Sequence, residues 1–193
     1  MKAPRRAAPP GEVRIIGGQW KRTRLPVPDR PGLRPTPDRV RETLFNWLGH
    51  DLAGWRCLDA FAGSGALGFE AASRGAASVQ LLERERSLAR GLEQLRDKLQ
   101  ATQLRIEAAE AIGWMKRCAP RSFELVMLDP PFDAELAAPA LDAAAPLLVA
   151  DGFLYLEAAR LFDAAEVEPL GLLPHRHLRA GAVHAHLFRR PPG

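Results

Sequence analysis

Short apolar runs alternate with amphipathic stretches along the chain from Trp55 onward. The apolar runs RCLDAF, SVQLLE, LRIEAA, FELVMLD and GFLYLEA have the length and composition of buried strands. Between them lie SGALGFEAASRG, RERSLARGLEQLRDKLQ, EAIGWMKRC and ELAAPALDAAAPLL, which we predict to be helices. Because strands that alternate with helices form βαβ units, the pattern predicts an α/β fold with a parallel sheet and helices on both faces.

The end of the chain follows the pattern less regularly. EVEPLGLL and AVHAHLFRR are predicted to be strands. Two H-x-H pairs lie here, His175 with His177 and His184 with His186, and in a strand each pair points to one face. With neither Cys nor a carboxylate cluster nearby, we predict no metal site.

The N-terminal part has a different character. Residues 1–10 are rich in Pro, Ala and Arg, and are predicted to be a disordered basic tail. Residues 11–37 are predicted to form a β-hairpin and a proline-stiffened linker, with strands at Val13–Ile16 and Trp20–Leu25 and a flexible Gly17–Gly18 turn. A helix is expected from Asp38, whose carboxylate can cap it, and residues 38–193 are assigned to the α/β domain.

Charge separates this basic arm from the body of the chain. The 193 residues carry a net charge of +4, yet residues 1–41 hold eleven Lys or Arg against three Asp or Glu. A basic arm on a mildly acidic body suggests a polyanionic partner, the alternative being a solubilising tail. The candidate phosphate-binding residues are Arg14, Lys21, Arg22, Arg24 and Arg34.

Composition narrows the class of protein. The chain has no apolar run near the ~20 residues that a membrane span requires, and its N-terminus lacks the apolar segment of a secretory signal. Cys57 and Cys118 are its only cysteines, which argues against a disulfide scaffold and a zinc cluster. We therefore expect a cytoplasmic protein.

A glycine-rich loop follows the first strand of the predicted sheet. In DAFAGSGALG, Gly63, Gly65 and Gly68 match G-x-G-x-x-G, a pattern that lets the backbone approach a ligand at a helix N-terminus. The pattern alone suggests a dinucleotide. Asp59 at the strand end changes this interpretation, because a carboxylate disfavours pyrophosphate and favours a cationic ligand.

Acids also end the second and third strands of the predicted sheet. Glu83 can accept hydrogen bonds from both hydroxyls of a ribose, or serve as a helix N-cap. Glu110, followed by Ala111, can bind the amino group of an adenine, or be an acid favoured at a helix start.

The fourth strand ends in Asp129-Pro130-Pro131-Phe132. Ligands bind at the carboxyl ends of strands in open α/β sheets, and we expect the strands that end at Asp59 and Asp129 to be neighbours there. A carboxylate and a carbonyl on a proline-locked turn offer two acceptors at fixed spacing. The Phe132 ring offers a surface on which a base can stack. The four residues therefore indicate a site for a flat heterocycle with an exocyclic amine.

These motifs together resemble a known class of enzyme. DAFAGSGALGFEAASRGA with DPPF resembles class I S-adenosylmethionine-dependent methyltransferases that act on exocyclic amines. The stretch VRIIGGQWKRTRLPVPDRPGLRPTPDRVRETLFNWL narrows the resemblance to the bacterial RsmD family, the 16S rRNA guanine-N2 methyltransferases. The likeness extends from about Glu12 to Glu157.

The resemblance implies a Rossmann-like sheet of seven strands, mostly parallel, with the last strand inserted antiparallel. It implies Asp129, Pro130, Pro131 and Phe132 as catalytic residues and S-adenosylmethionine as cofactor. It also implies 16S rRNA in the small ribosomal subunit as partner, with no membrane and a monomeric protein. The implied cofactor-binding residues are Asp59, Phe61, Ala62, Gly63, Ser64, Gly65, Glu83, Glu110, Ala111, Arg34 and Thr36. Related proteins usually carry Asn or Asp where Glu110 stands.

Other functions fit parts of the sequence. The literal glycine pattern allows an NAD-dependent oxidoreductase, although no hydride-site residue is evident. DPPF allows a DNA adenine-N6 methyltransferase, although 193 residues leave little room for a target-recognition region. A non-catalytic RNA-binding module is disfavoured by the intact DPPF, and a protein-amide methyltransferase would more usually carry Asn in place of Asp129.

Overall fold

A seven-stranded sheet organises the chain, and a two-stranded hairpin precedes it. The computed structural model describes residues 11–27, 38–131 and 135–192. Five strands of the sheet are parallel in the order β5-β4-β3-β6-β7, and β9 lies between β7 and β8, antiparallel to both. The predicted α/β class and the antiparallel insertion of the last strand are confirmed.

The described elements have these bounds. The strands are β1 Gly11–Arg14, β2 Arg24–Val27, β3 Arg56–Asp59, β4 Ser78–Glu83, β5 Leu104–Ala108, β6 Phe123–Leu128, β7 Leu148–Ala158, β8 Leu173–Ala180 and β9 Val183–Arg189. The helices are α1 Asp38–Leu48, α2 Ala66–Ser73, α3 Arg86–Lys98, α4 Ala111–Arg117, α5 Ala137–Ala144 and α6 Ala164–Val167. No helix among the described residues is both long enough and apolar enough to span a membrane.

The sheet is covered on both faces, as predicted. Alternate residues of the central strands contribute to two apolar clusters, so that Cys57 and Met127 belong to one and Leu58 and Val126 to the other. Helices α1, α2 and α3 pack into the first cluster, whereas α4 and α5 pack into the second. Two-sided burial explains why the strands appear as continuous apolar runs in the sequence.

The prediction of a strand at EVEPLGLL is wrong. It contributes to α6 and a following 3₁₀ turn, Glu168–Leu170. A capping box starts α6: the Asp163 carboxylate accepts the Glu166 N–H over 3.1 Å, and the Glu166 carboxylate accepts the Asp163 N–H. The polar edge strand β8 takes the place of the predicted strand, and pairs with β9 alone.

The N-terminal hairpin is present, but its predicted strand bounds are wrong. The strands pair from Gly11 opposite Val27 to Arg14 opposite Arg24, and residues 15–23 form a long connection. The first strand ends before Ile16 because the N–H groups of Ile16 and Gly17 do not take part in the hydrogen bonds between the two hairpin strands. They donate to the Glu70 carboxylate of α2 instead, over 2.7 and 2.8 Å.

Glu70 joins three parts of the chain through one buried carboxylate. Its side chain is fully buried, and it accepts the Arg74 Nε–H over 2.8 Å in addition to the two N–H groups of the connection. Arg41 of α1 lies 3.6 Å from it and donates to the carbonyl of Arg14 in the hairpin. A buried charge is tolerated only when it is paired and hydrogen-bonded, and Glu70 meets both conditions.

The connection lies directly against α2. Gly18 is in the left-handed conformation at φ 73°, and a Cβ on it would be 1.8 Å from the Ser73 carbonyl oxygen, so glycine is required both for the turn and for the close approach. Ile15 and Leu25 are fully buried in the same apolar cluster as Leu44 of α1. The hairpin therefore shares the core of the α/β body.

Glu70→Ala should destabilise the protein strongly. Removal of one partner from a buried ion-pair network leaves Arg74 and the N–H groups of Ile16 and Gly17 without their acceptor, so the free energy of unfolding should fall by about 3–5 kcal/mol. Urea denaturation measures the change. Glu12→Ala is the matched control, because Glu12 forms an exposed pair with Arg24 and should cost at most about 1 kcal/mol. Equal losses in both variants would contradict the role of Glu70.

Candidate active site

The carboxyl ends of the parallel strands meet at one edge of the sheet. Strand order reverses between β3 and β6, which makes this pair the topological switch point. Asp59 lies opposite Met127 in the β3–β6 pairing, so the strands that end at Asp59 and Asp129 are neighbours, as predicted. The candidate residues from β3, β4 and β6 are therefore brought together.

The glycine loop makes the tight strand-to-helix turn that its sequence predicts. Gly65 is the N-cap residue of α2, in the left-handed conformation at φ 78°. A Cβ on Gly68 would lie 2.9 Å from Leu81, so this glycine lets α2 pack closely on β4. Ala62 and Ser64 are buried in the loop, and Phe61 is half-buried beside it.

Asp59 is buried beneath the glycine loop. Its side chain is 1% exposed, and Oδ2 accepts the Gly68 N–H over 2.9 Å, whereas Oδ1 is buried without a hydrogen-bond donor among the described residues. Burial raises the pKa of Asp59 to about 7, and the negative charge of Glu83 contributes. A carboxylate in this position gains from a cationic ligand, because positive charge nearby would restore its ionised form.

Glu83 and Glu110 are each engaged by backbone N–H groups. Glu83 accepts the Gly63 N–H over 3.0 Å and the Glu85 N–H over 2.7 Å, which fixes the loop against the end of β4. Glu110 caps α4 by accepting the N–H groups of Ile112 and Gly113, while Ala111 begins that helix. The cap is the alternative role that the sequence allowed for Glu110, and adenine and ribose contacts stay predictions.

A cavity of about 360 Å³ lies beside the end of β6. Pro130 and Pro131 contribute to one wall, and the start of α5, the end of β7 and the residues that follow β7 as far as Phe162 also line it. Asp129, directly before Pro130, is partly buried. Three predicted residues, Phe132, Arg34 and Thr36, lie outside the described residues.

Sequence reasoning missed Glu157 in this cavity. Glu157 is 2% exposed at the end of β7, and the Tyr155 hydroxyl donates to its Oε1 over 2.8 Å. An acid that ends an apolar strand was the signal for Asp59, Glu83 and Asp129, and GFLYLEA carries the same signal. Its strand was predicted, but the acid was not considered as a site residue.

Three histidines of the β8–β9 hairpin come together. One ligating nitrogen from each of His177, His184 and His186 lies within 4.8 Å of the others. The His177 Nε2 and His184 Nδ1 atoms are 3.0 Å apart. His186, however, accepts the Phe162 N–H over 3.1 Å at Nε2, and its Nδ1 lies 3.3 Å from the Leu156 carbonyl oxygen. The buried member of the cluster is thus already engaged by the backbone through both ring nitrogens.

The predicted phosphate-binding residues of the hairpin are exposed. Arg14, Lys21 and Arg22 lie at the surface, and Arg24 is exposed while paired with Glu12. Arg34 falls outside the described residues. The four exposed basic side chains of the hairpin are accessible to a polyanion.

The strand order, the glycine loop and the acids at the strand ends define a class I S-adenosylmethionine-dependent methyltransferase. A family model described as "Conserved hypothetical protein 95" matches residues 13–189. Ribosomal RNA small subunit methyltransferase D of Escherichia coli (strain K12) is 42% identical over 98% of this chain and 96% of the relative. The enzyme of the same name from Haemophilus influenzae is 47% identical over 68% of this chain and 69% of the relative.

Solved structures agree with this class. A putative methyltransferase from Escherichia coli has a TM-score of 0.80 at 36% identity, covering 94% of this chain and 99% of its own. The chain belongs to the RsmD family of methyltransferases. These matches support neither an NAD-dependent oxidoreductase nor a DNA adenine methyltransferase.

Asp59 should make folding stability depend on pH. The pKa of Asp59 in the folded protein is raised to about 7, so the folded protein holds this proton more tightly than the unfolded chain does. The resulting stabilisation of the folded state is complete below the ordinary Asp pKa and is lost as pH rises through about 7. From about pH 5.5 to about pH 8.5 the wild type should lose roughly 2 kcal/mol relative to Asp59→Asn, which keeps an acceptor for Gly68 without the charge. Urea denaturation at both pH values measures this. Parallel pH profiles for the two proteins would rule out the raised pKa.

Proposed function

We propose that this chain methylates the exocyclic N2 amine of a guanine in 16S rRNA, on the small ribosomal subunit or an assembly intermediate. The observation that carries the proposal is the Asp129-Pro130-Pro131 turn at the switch-point strand, beside a cavity at the sheet edge. The names of the relatives, ribosomal RNA small subunit methyltransferases, support the class of substrate. A monomeric, cytoplasmic protein is part of the same proposal.

The residues that would hold the cofactor surround the glycine loop. The buried Asp59 carboxylate, with one oxygen lacking a donor among the described residues, suits a positively charged ligand. The backbone of the loop at Gly63 and Gly65, which have φ values of 50° and 78°, would provide the surface on which it lies, and Glu83 would bind the ribose. S-adenosylmethionine supplies a methyl group on a sulfonium when it is bound there.

The amine needs orientation more than a base. Its lone pair is delocalised into the guanine ring, and it becomes nucleophilic when its hydrogens are held so that the nitrogen can pyramidalise. The Asp129 carboxylate and the Pro130 carbonyl are the proposed acceptors of those two hydrogens. They also stabilise the positive charge that develops on nitrogen, and Asp129 or water takes the proton released after transfer.

RNA binding would depend on the N-terminal hairpin and on an accessible base. Arg14, Lys21, Arg22 and Arg24 would contact phosphates largely without regard to sequence. Phe132 is predicted to stack on the target base, which must be unstacked or single-stranded to reach the cavity.

Methyl transfer to isolated substrates tests the function directly. Small ribosomal subunits from a strain that lacks this enzyme, naked 16S rRNA and duplex DNA would each be incubated with radiolabelled S-adenosylmethionine. We expect label in rRNA, with the product nucleoside identified by mass as N2-methylguanosine. Label in DNA adenine, or label absent from all three substrates, would contradict the proposal.

Asp129→Ala should lower turnover by about 100-fold or more, the scale of one preorganised acceptor, while affinity for S-adenosylmethionine stays within about 3-fold of the wild type. Single-turnover labelling and calorimetry measure the two quantities. Asp142→Ala, which removes an exposed carboxylate from α5, is the control and should keep full turnover. Undiminished turnover in Asp129→Ala would refute the mechanism.

Charge variants of the hairpin should reduce the salt dependence of RNA binding. Deletion of residues 1–30 would also remove Ile15 and Leu25 from the core, so point variants are required. In Arg14→Gln with Lys21→Gln, the slope of log affinity against log salt should become shallower by about 0.7–0.9 per lost phosphate contact. Filter binding at several salt concentrations measures the slope, with the exposed Lys98→Gln as control. An unaltered slope would remove the hairpin from the RNA interface.

A further inference from the structure

The cavity beside Pro130 and Pro131 has a buried acid, Glu157, in its wall. Leu128 and Leu156 are paired across β6 and β7, so Asp129 and Glu157 follow at equivalent positions on neighbouring strands. Glu157 lines the cavity together with both prolines. The end of β7 therefore places a carboxylate beside the turn that is proposed to hold the target amine.

Glu157 is held in a fixed orientation. A carboxylate that is 2% exposed is costly unless it is hydrogen-bonded, and the Tyr155 hydroxyl donates to Oε1 over 2.8 Å. Burial and the negative charges of Glu157 and Asp129 raise the pKa of Tyr155 well above its usual value. Tyr155 therefore stays protonated and remains a donor to the carboxylate.

The bases differ in what they present beside the reactive amine. Guanine carries an N1–H next to its N2 amine, so this part of its edge consists of donors. Adenine presents an acceptor at N1 next to its own amine. An ionised carboxylate can only accept hydrogen bonds, so it matches the guanine edge and leaves adenine with two opposed acceptors.

We infer that Glu157 accepts the N1–H of the target guanine and thereby determines specificity for that base, with Tyr155 as the positioning residue. The inference rests on the proposed function. In this arrangement Asp129 and Pro130 accept the N2 hydrogens and Glu157 accepts the neighbouring N1–H. Three acceptors from two adjacent strand ends then match three donors on one edge of the base.

An altered base at the target position tests the inference. In 2-aminopurine the N2 amine is kept, but N1 is an acceptor. Small subunits would be reconstituted with ligated 16S rRNA that carries either guanosine or 2-aminopurine riboside at the methylated position. For the wild type, kcat/KM should favour guanosine by about 100-fold or more, because in 2-aminopurine the N1 acceptor faces the acceptor oxygens of Glu157.

Glu157→Gln should remove most of this preference. The amide keeps an acceptor for the Tyr155 hydroxyl and turns a donor toward N1, so guanosine becomes disfavoured and 2-aminopurine favoured. The kcat/KM for the guanosine substrate and the kcat/KM for the 2-aminopurine substrate should then differ by no more than about 10-fold. Glu168→Gln, at an exposed position outside the cavity, is the matched control and should keep the wild-type ratio.

Tyr155→Phe is the second variant, and it retains the buried ring while removing the donor. In this variant the ratio of kcat/KM for guanosine to kcat/KM for 2-aminopurine should fall by about 3- to 10-fold. The main cause should be a higher KM for the guanosine substrate, because Glu157 is less well oriented. An unchanged ratio in Glu157→Gln, or in Tyr155→Phe if the first variant does not fold, would overturn the inference. A wild type that methylates neither substrate would instead refute the proposed function.

Discussion

Parallel pairing of β3, β6 and β7 is the constraint on which the candidate site depends. Parallel strands present their carboxyl ends at one edge of a sheet. Acids that are distant in sequence therefore become neighbours through the pairing of their strands rather than through an interaction between their side chains. The register places Asp59 level with Met127 and Tyr155, and Asp129 and Glu157 follow two residues further along their strands. Cofactor and target sites can therefore adjoin each other across the switch point.

A second constraint joins the N-terminal hairpin to this frame. Glu70 belongs to α2, the helix that begins at the glycine loop, and its carboxylate binds backbone N–H groups of Ile16 and Gly17. Arg41 and Arg74 provide the positive charge that makes its burial tolerable. The surface proposed to contact RNA phosphates is thus attached to the helix that follows the proposed cofactor loop, and the two surfaces share one core.

Sequence patterns predicted the central sheet well because two-sided burial makes each strand an apolar run. They failed at β8, a polar edge strand, and at α6, where the local capping box of Asp163 and Glu166 determines the structure. They also misplaced the hairpin strands, since Glu70 is 54 residues from Ile16 and no local signal reveals that contact.

The acids of the site show the same limit of sequence-based prediction. Asp59 and Asp129 stood out because glycines or prolines follow them, whereas Glu157 has neither marker. Its importance is evident only from the pairing of β6 with β7 and from its position in the cavity wall. Glu110 had two possible roles in the sequence, and the structure shows it as the cap of α4.

The most direct test of the central claim is a structure of the protein bound to the small ribosomal subunit with S-adenosylhomocysteine. The account predicts an unstacked guanine in the cavity, with N2 about 2.7–3.2 Å from both an Asp129 carboxylate oxygen and the Pro130 carbonyl oxygen. A target base bound elsewhere, or an amine directed away from both acceptors, would contradict it.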